Sequence, residues 1–327
     1  MLTLRRGRVT AVVERAEGLS RLEVDGEPCV AYPRLTGPVA LGDEVIVNTQ
    51  ARELELGSGG FDVLYANLTR GLDLLPEGGA HVMKLPYTPA QNAWRHGEEG
   101  WTLPETLAGL PIVCCSLHSQ LAPVCAGIGA GRGVAYVQLA GGALPVSLSD
   151  TLRVLRKRGH VRTSIAVGPC LDADVECVSP ASALLWAAAE GFDVVVCAIG
   201  PGIVGTGSRF GHGGLAAAEA ANAAAALHGT PILAVRASER DARERHQGVS
   251  HHARAVLELC LGEVIAAWPA GYDAPPWLDP RVEIDVTGWE AACEGLPLAH
   301  MGRGSREDPL FFAAAFAAGR VAADRSL

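Results

Sequence analysis

The sequence predicts an α/β protein in which a small N-terminal β-barrel precedes a Rossmann-like, mostly parallel α/β/α domain. Over the first 70 residues, short runs rich in Val, Ile and Tyr alternate with turn-forming pairs. Beyond residue 109, continuously apolar runs alternate with helical stretches, which is typical of parallel strands buried on both faces. The chain has 327 residues, and two domains fit the usual size of about 100–200 residues per domain.

Residues 1–70 form the predicted barrel. Asp25-Gly26 lies between two of its strands, and this pair favours a tight type I′ hairpin because both central residues need positive φ. Residues 71–108 are rich in proline and glycine, so we predict a connector there. The predicted strands are Arg8–Glu14, Ser20–Asp25, Pro28–Tyr32, Asp43–Thr49 and Phe61–Asn67.

Residues 109–327 form the predicted Rossmann-like domain. A strand–helix–strand pattern repeated five times predicts a parallel sheet with helices on both faces. Ser149 and Ser179 are expected to cap two of the helices. The predicted strands lie at 111–116, 133–138, 163–167, 193–199, 231–235, 263–268 and 281–286. The predicted helices lie at 118–130, 148–159, 179–191, 213–228, 251–261 and 308–324.

The composition argues against two classes of protein. The net charge is −9 at pH 7, whereas binding to a nucleic-acid backbone depends on clustered Lys and Arg, so we expect no nucleic-acid partner. The most membrane-like stretch, Leu121–Val146, contains Arg132, two prolines and six glycines. A membrane helix needs about 20 mostly apolar residues in a row, so we expect no membrane span.

The cysteines predict a reducing compartment. The chain has nine, an odd number, at irregular positions without C-x-x-C spacing. Free cysteine is among the most buried residue types, so we expect reduced, mostly buried thiols and a cytoplasmic location. The N-terminal residues also lack the apolar region of a signal peptide.

Gly200–Gly214 is the most unusual segment, because seven of its fifteen residues are glycine. It joins an apolar run to an alanine-rich helix, a position that suits an anionic group. Gly200–Gly205 matches G-x-G-x-x-G, but the helix starts too late for a dinucleotide fingerprint. We predict a loop that cradles a polar or anionic group, with a purely structural loop as the alternative. The candidate binding residues are Gly202, Gly205, Gly207, Ser208 and Arg209.

Half of the ten histidines are expected at the carboxyl ends of the strands. Histidine is both the usual general base near neutral pH and the commonest metal ligand. The candidates for acid–base work are His251, His212 and His118. A zinc site needs about three such ligands, but the spacings match no metal signature and we assign none. Capping of a helix by Ser250 and its neighbours is the alternative. The five histidines are His118, His212, His246, His251 and His252.

Charged residues follow the same strands. Arginines there suit bidentate binding of carboxylate or phosphate, and Arg303 is a candidate binding residue. Asp241 and Glu244 are interleaved with the others, so a self-paired segment is equally compatible. Three carboxylates at 172, 174 and 176 offer oxygen ligands for magnesium, although stabilisation of the following helix is favoured. The arginines are Arg236, Arg240, Arg243, Arg245 and Arg303.

Several phrases of the chain resemble those of one bacterial family. They are Leu35–Val39, Gly42–Asn48, His81–Pro89, Gly205–His212 and His246–His252. The family they resemble is domain-of-unknown-function family 3866, and the resemblance spans nearly the full chain. It implies a cytoplasmic protein, and it supplies no activity and no catalytic residues.

Two functions are compatible with the sequence. In the first, the protein is an enzyme or a binding protein for a small anionic metabolite, held by the loop 200–214 and the His246–His252 segment. In the second, it is a non-catalytic sensor or assembly protein whose barrel binds a protein partner. A homodimer is expected on frequency alone. The sequence assigns no cofactor, substrate or reaction class.

Overall fold

The structure is a computed structural model that describes residues 2–55, 59–72 and 74–324. The chain divides into two compact units, Met1–Arg95 and His96–Leu327. The division lies inside the segment 71–108, for which the sequence predicts a connector.

Unit 1 contains a closed five-stranded barrel, which confirms the predicted barrel. The strands of the unit are β1 (Leu4–Ala16), β2 (Leu19–Val24), β3 (Glu27–Ala31), β4 (Glu44–Asn48), β5 (Asp62–Asn67), β6 (Val82–Lys84) and β7 (Asn92–Trp94). The barrel order is β1-β2-β3-β5-β4, and β6 pairs with β7 in a separate hairpin. Two single-turn helices complete the unit, α1 (Pro33–Thr36) and α2 (Gln50–Glu53).

Alternation of apolar and polar residues produces the barrel core. Val45 and Val47 of β4 are fully buried, while their neighbours along the strand are partly exposed. Successive side chains of a strand point to opposite faces, so this pattern places one face of β4 inside. Asp25 and Gly26 have φ values of 54° and 82°, as a type I′ hairpin requires.

Unit 2 is built on an eight-stranded sheet in which each pair of neighbours is parallel. It is covered by helices, as expected for a Rossmann-like domain. Its strands are β8 (Pro111–Cys115), β9 (Val134–Leu139), β10 (Thr163–Val167), β11 (Val175–Cys177), β12 (Val194–Ile199), β13 (Thr230–Ala234), β14 (Ala237–Ser238), β15 (Gly248–Val249), β16 (Ile265–Pro269) and β17 (Arg281–Ile284). The order is β11-β10-β9-β12-β8-β13-β16-β17, and β14 and β15 form a small separate sheet.

The helices of unit 2 lie on both faces of the sheet. They are α3 (Leu121–Ile128), α4 (Asp150–Lys157), α5 (Pro180–Ala189), α6 (Ala216–Ala226), α7 (His251–Leu259), α8 (Trp289–Ala292) and α9 (Pro309–Ala323). Residues of α3, α4, α8 and most of α9 share one core, and residues of α5, α6 and α7 share the other. Ser149 and Ser179 accept the capping hydrogen bonds of α4 and α5, as predicted.

The strand order places the start of the sheet at its centre. The first strand, β8, lies between β12 and β13, which come much later in the chain. Because the strands are parallel, the segments that leave them emerge at one edge of the sheet. Ligands of such folds bind at that edge, where the strand order reverses. A ligand site is therefore expected among the segments that follow β8, β12 and β13.

Two further expectations concern the membrane and the cysteines. Among the described residues, no helix is long and apolar enough to cross a bilayer. Leu121–Val146 instead contains α3, β9 and the start of a 3-10 turn. All nine cysteines lie within the described residues; they are unpaired, and eight of them are buried.

Candidate functional site

Four histidines lie together at the carboxyl edge of the sheet. His212 comes from the segment after β12, and His246, His251 and His252 come from the segment after β13. The ring of His252 has its centroid 3.7 Å from that of His212, 4.8 Å from that of His246 and 4.4 Å from that of His251. We call these four residues the histidine cluster. The two segments for which the sequence predicts a ligand therefore meet through their imidazoles.

The glycine-rich segment forms a turned-back loop that delivers His212 to the cluster. The Thr206 amide donates to the Gly211 carbonyl at 2.8 Å, and the Gly213 amide donates to the Val204 carbonyl at 2.9 Å. The tip of this loop is exposed, while His212 is buried. The helix that follows begins with a 3-10 turn at Gly213, well past the G-x-G-x-x-G match. This late start differs from a dinucleotide-binding loop, in which the helix opens within the motif.

Several glycines of this region are required by close backbone contacts. A Cβ atom on Gly213 would lie 2.0 Å from the Gly141 carbonyl oxygen, and one on Gly200 would lie 2.0 Å from the Ala143 carbonyl oxygen. Gly142 meets the Gly200 carbonyl in the same way, at 2.2 Å. The loops after β9 and β12 thus pack backbone to backbone, which only glycine permits.

The predicted binding residues of the loop lie around its exposed tip. Gly202 and Gly207 have positive φ values of 72° and 81°. Gly205 forms an antiparallel bridge with His212, and the Ser208 hydroxyl lies 2.9 Å from the Thr206 hydroxyl. Arg209 forms an ion pair with Glu258 of α7. These residues shape the loop, and their own polar groups are already bonded within it or to α7.

Arg236, directly after β13, is the central charge of the site. Its side chain is 4% exposed, and its Nη1 donates to Nδ1 of His252 at 2.7 Å. The closest carboxylate oxygen paired with it, Oδ2 of Asp241, is 3.8 Å away. Burial, with the nearby charge of Arg243, lowers the pKa of Arg236 to about 10. This guanidinium therefore has a neutral hydrogen-bond partner and only a distant counter-charge.

Asp241 is shared among several arginines. Arg243 binds it with Nε and Nη2, both at 2.9 Å. Arg303, a candidate binding residue, approaches it at 3.5 Å and also donates to Asp308 at 3.1 Å. Hydrogen bonding to Arg243 holds the pKa of Asp241 well below its usual range, so the carboxylate stays charged. The negative charge of Asp241 is thus shared with Arg243 and Arg303, and only part of it compensates Arg236.

A fifth histidine, which the sequence did not single out, joins this charged network. His300 precedes α9, and its Nδ1 lies 3.1 Å from the hydroxyl of Ser119, after β8. Its ring stacks on Phe311 with centroids 3.8 Å apart. Burial and the charges of Arg236 and Arg303 lower its pKa to about 3. The signal available in the sequence was only its place before a long apolar helix.

Several imidazole nitrogens of the site are buried and lack a hydrogen-bond partner among the described residues. They are both ring nitrogens of His212, Nε2 of His251 and Nε2 of His300. More than nine in ten buried polar groups in proteins are bonded, so orphaned nitrogens at one place need an explanation. A ligand that bonds to them provides one.

The histidines of the cluster are held in the neutral form. Burial is the largest cause in each case, and the charge of Arg236 acts in the same direction on all four. The pKa of His246 falls to about 3 and that of His252 to about 2. The pKa of His212 is also lowered, and the backbone of Arg209 acts on it in the opposite direction. This backbone nevertheless forms no hydrogen bond with either ring nitrogen. Neutral imidazoles each offer one N–H donor and one acceptor.

The cluster has the residue types of a metal site but not its geometry. One nitrogen each of His212, His251 and His252 lies within 4.8 Å of the others. The rings of His212 and His252, however, are stacked with planes 15° apart, so their in-plane lone pairs do not converge. Metal-bound histidines usually donate their second N–H to an acceptor, whereas Nδ1 of His252 accepts a hydrogen bond from Arg236. The arginine charges also disfavour a cation here.

His118 lies outside the cluster, although it follows β8 at the same edge. Its Nδ1 lies 3.3 Å from the Ile199 carbonyl and its Nε2 2.7 Å from the Ser149 hydroxyl. Both ring nitrogens are therefore bonded within the protein. Burial lowers its pKa to about 4. His118 therefore connects the end of β12 to the start of α4.

The carboxylates at 172–176 also lie apart from the cluster. Asp174 accepts from the amide and hydroxyl of Ser164, both at 2.8 Å, and pairs with Arg156. Glu176 lies in β11 and accepts from the Ala173 amide at 3.0 Å. These bonds fix the short edge strand.

Two of the cavities that border unit 2 differ in whether a histidine lines them. One, of about 350 Å³, opens on the cluster and is lined by Arg209, His251, Arg254 and Ala255. The larger, of about 600 Å³, lies at residues 290–307 and is lined by no histidine. The smaller cavity is the relevant one, because His251 of the cluster lines it.

Comparison with known proteins gave one result. A family model described as a protein of unknown function (DUF3866) matches residues 28–276. No curated protein matches the chain. The matched region includes the histidine cluster and Arg236, and it ends before His300 and Arg303.

Proposed function

Because the chain belongs to the DUF3866 family, whose description gives no activity, we propose a function from the site itself. The protein binds a small anionic metabolite between Arg236 and the histidine cluster. His251 or His212 then exchanges a proton with the bound molecule.

The orphaned imidazole nitrogens carry this proposal. If His212 and His251 were hydrogen-bonded to the backbone, the segment would have a purely structural role. Instead, both nitrogens of His212 and one of His251 are buried without a partner among the described residues. The cost of an unsatisfied buried polar group is about 1–3 kcal/mol. A ligand that accepts from the N–H nitrogens and donates to the remaining one recovers that free energy.

The charge of the site supports an anion. Arg243, Arg245 and Arg303 are the positive groups whose charges act on Arg236, and Asp241 is the negative one. Asp308 adds a second carboxylate through its bond to Arg303. The charges that act on Arg236 are thus mostly positive. A buried charge without a close partner is costly, so an anion beside Arg236 stabilises the folded protein.

The neutral state of the histidines supports a role in proton transfer. A histidine with a lowered pKa is an unprotonated base at pH 7. His251 is partly exposed and lines the cavity that opens on the cluster. It is therefore the imidazole best placed to reach both the ligand and solvent.

We also propose a cytoplasmic location. The nine cysteines are unpaired, and disulfides are rare in reducing compartments. Disulfide mapping of protein purified without reductant tests this proposal. A native disulfide would contradict it.

Thermal unfolding in the presence of anions tests the proposed function. The melting temperature is measured at constant ionic strength with phosphate, malonate or pyruvate, and separately with zinc. Variant Arg236→Gln removes the central charge but keeps a hydrogen-bond donor. Variant Arg240→Gln is the matched control, because Arg240 is exposed on the same segment. We expect at least one anion to raise the melting temperature of the wild type and of the control, and not that of Arg236→Gln.

Two results would contradict the proposal. Equal shifts in all three proteins would indicate a non-specific salt effect. A rise with zinc alone, lost on removal of His212 or His251, would replace the anion site by a metal site.

A further inference from the structure

We infer that the charged end of the ligand is a phosphoryl group, a tetrahedral dianion held by Arg236 and imidazoles on two sides of it. This inference rests on the proposed function, since it names the class of anion that the same site takes. Three observations support it: the positive charge around Arg236, the directions of the imidazole N–H donors and the helices that begin at the site.

The balance of charge favours a dianion. Four guanidinium groups, of Arg236, Arg243, Arg245 and Arg303, face the carboxylates of Asp241 and Asp308. Positive charge is therefore in excess around Arg236. A phosphate monoester, which carries roughly −1.5 to −2 near neutral pH, compensates more of it than a monocarboxylate does. Guanidinium is also the side chain best matched to phosphate oxygens.

The hydrogen bond from Arg236 defines one donor. Arginine cannot accept, so Nδ1 of His252 must be the acceptor in the 2.7 Å contact. The neutral ring then carries its proton on Nε2. His252 thus presents its N–H group on the side of the ring away from Arg236.

The directions of the donors favour a tetrahedral group over a planar one. His212 stacks on His252 with centroids 3.7 Å apart, so the in-plane nitrogens of the two rings lie at two levels. The ring of His251 stands at 77° to His212, which turns its orphaned Nε2 into a third direction. A carboxylate offers two oxygens to these three directions, whereas a phosphoryl group offers three terminal oxygens.

Helix ends at the site act in the same sense. His251 and His252 are the first two residues of α7, and His212 directly precedes the turn that leads into α6. The first turn of a helix carries a partial positive charge, which favours phosphate. In α7 one amide of this turn is already bonded, because Ser250 caps the helix as predicted and accepts from the His252 amide at 3.2 Å. The orphaned nitrogens of His212 and His251 indicate where at these helix ends the anion binds.

Isothermal titration calorimetry tests the inference on the full chain at pH 7. The probes are inorganic phosphate, glycerol 3-phosphate as a monoester, and malonate as a dicarboxylate. We expect at least one phosphoryl probe to bind at least tenfold more tightly than malonate. Arg236→Gln and His212→Asn should each weaken phosphoryl binding at least tenfold, and Arg240→Gln should change it less than twofold. Melting temperatures show whether each variant is folded.

Each outcome has a distinct meaning. Tighter binding of glycerol 3-phosphate than of inorganic phosphate supports a phosphorylated metabolite, and the reverse order supports free phosphate as the ligand. Both support the inference. Malonate bound as tightly as the best phosphoryl probe overturns it, while the anion site stands. Absence of binding by all three probes overturns the proposed function as well. If His212→Asn does not fold, His251→Asn, which is partly exposed, replaces it with the same expectation.

Discussion

Nη1 of Arg236 lies 2.7 Å from Nδ1 of His252, and this contact acts together with burial to keep the His252 ring unprotonated. The guanidinium occupies the position at which His252 would gain its second proton. Protonation of the ring would place two cations in contact inside a buried site. The arginine that we propose binds the anion therefore also helps to keep the imidazole neutral.

We predict that His252 exists as the Nε2–H tautomer and stays unprotonated down to about pH 4, because burial and Arg236 lower its pKa to about 2. Long-range ¹H–¹⁵N spectra of labelled histidine report both properties. In Arg236→Met the ring should titrate at higher pH, while Arg240→Gln should leave it unchanged. An ordinary pKa near 6.5 in the wild type would refute the contact.

Stability should fall as the pH is lowered from about 7 to 5. Burial lowers the pKa of His118, His246, His252 and His300 to values between about 2 and 4. The unfolded chain binds protons below about 6.5 and the folded chain does not. Each such histidine thus contributes a loss of up to about 1.4 kcal/mol per pH unit. Urea denaturation at pH 7 and 5 measures this.

His246→Gln should give a shallower dependence on pH, because one titrating group is removed from the difference. A free energy of unfolding that is constant between pH 7 and 5 would show that these rings are protonated in the folded state.

Gly213→Ala should destabilise the protein by roughly 1–3 kcal/mol, the usual cost of overpacking. The new methyl group would lie 2.0 Å from the Gly141 carbonyl oxygen, so one of the two loops must move. Gly304→Ala is the control, because the nearest atom to its added Cβ is 3.7 Å away. Equal stability of the two variants, measured in urea, would mean that the loops do not pack as described.

The thiols should be largely unreactive in the native protein. Eight cysteines are buried, and burial raises the pKa of the partly exposed Cys260 to about 11. Because the thiolate is the reactive form, alkylation at pH 8 should be slow and confined to Cys260. Mass spectrometry after labelling identifies the sites, and denatured protein should react at all nine. Fast modification of several native cysteines would contradict their burial.

Most of the sheet was predictable because its strands are continuously apolar. The exception is β11, where the sequence predicts no strand. It has three residues, and Glu176 at its centre interrupts the apolar pattern. Its place at the edge is set by pairing with β10, for instance Val175 with Ile165, and by side-chain bonds from Asp174. Contacts of this kind depend on tertiary structure, which local sequence does not encode.

The site was predictable in part, and for a related reason. Polar residues that follow apolar strands must meet at one edge of a parallel sheet. For this reason the sequence predicts that His212 and His251 lie at the same edge. The role of Asp308 was not predictable, since its 2.6 Å bond to Ser238 joins residues 70 positions apart. The separation of His118 from the cluster likewise depends on the Ser149 hydroxyl, which has a second function as a helix cap.

The closed barrel of unit 1 limits how it could recognise another protein. Among its described strands, β1 pairs with both β2 and β4, and β5 pairs with both β3 and β4. An extended peptide consequently finds no free backbone edge to lengthen this sheet. A partner would have to read outward-facing side chains, such as the exposed pair of Arg6 and Glu44. Such recognition is weakened by salt, since exposed charges are screened.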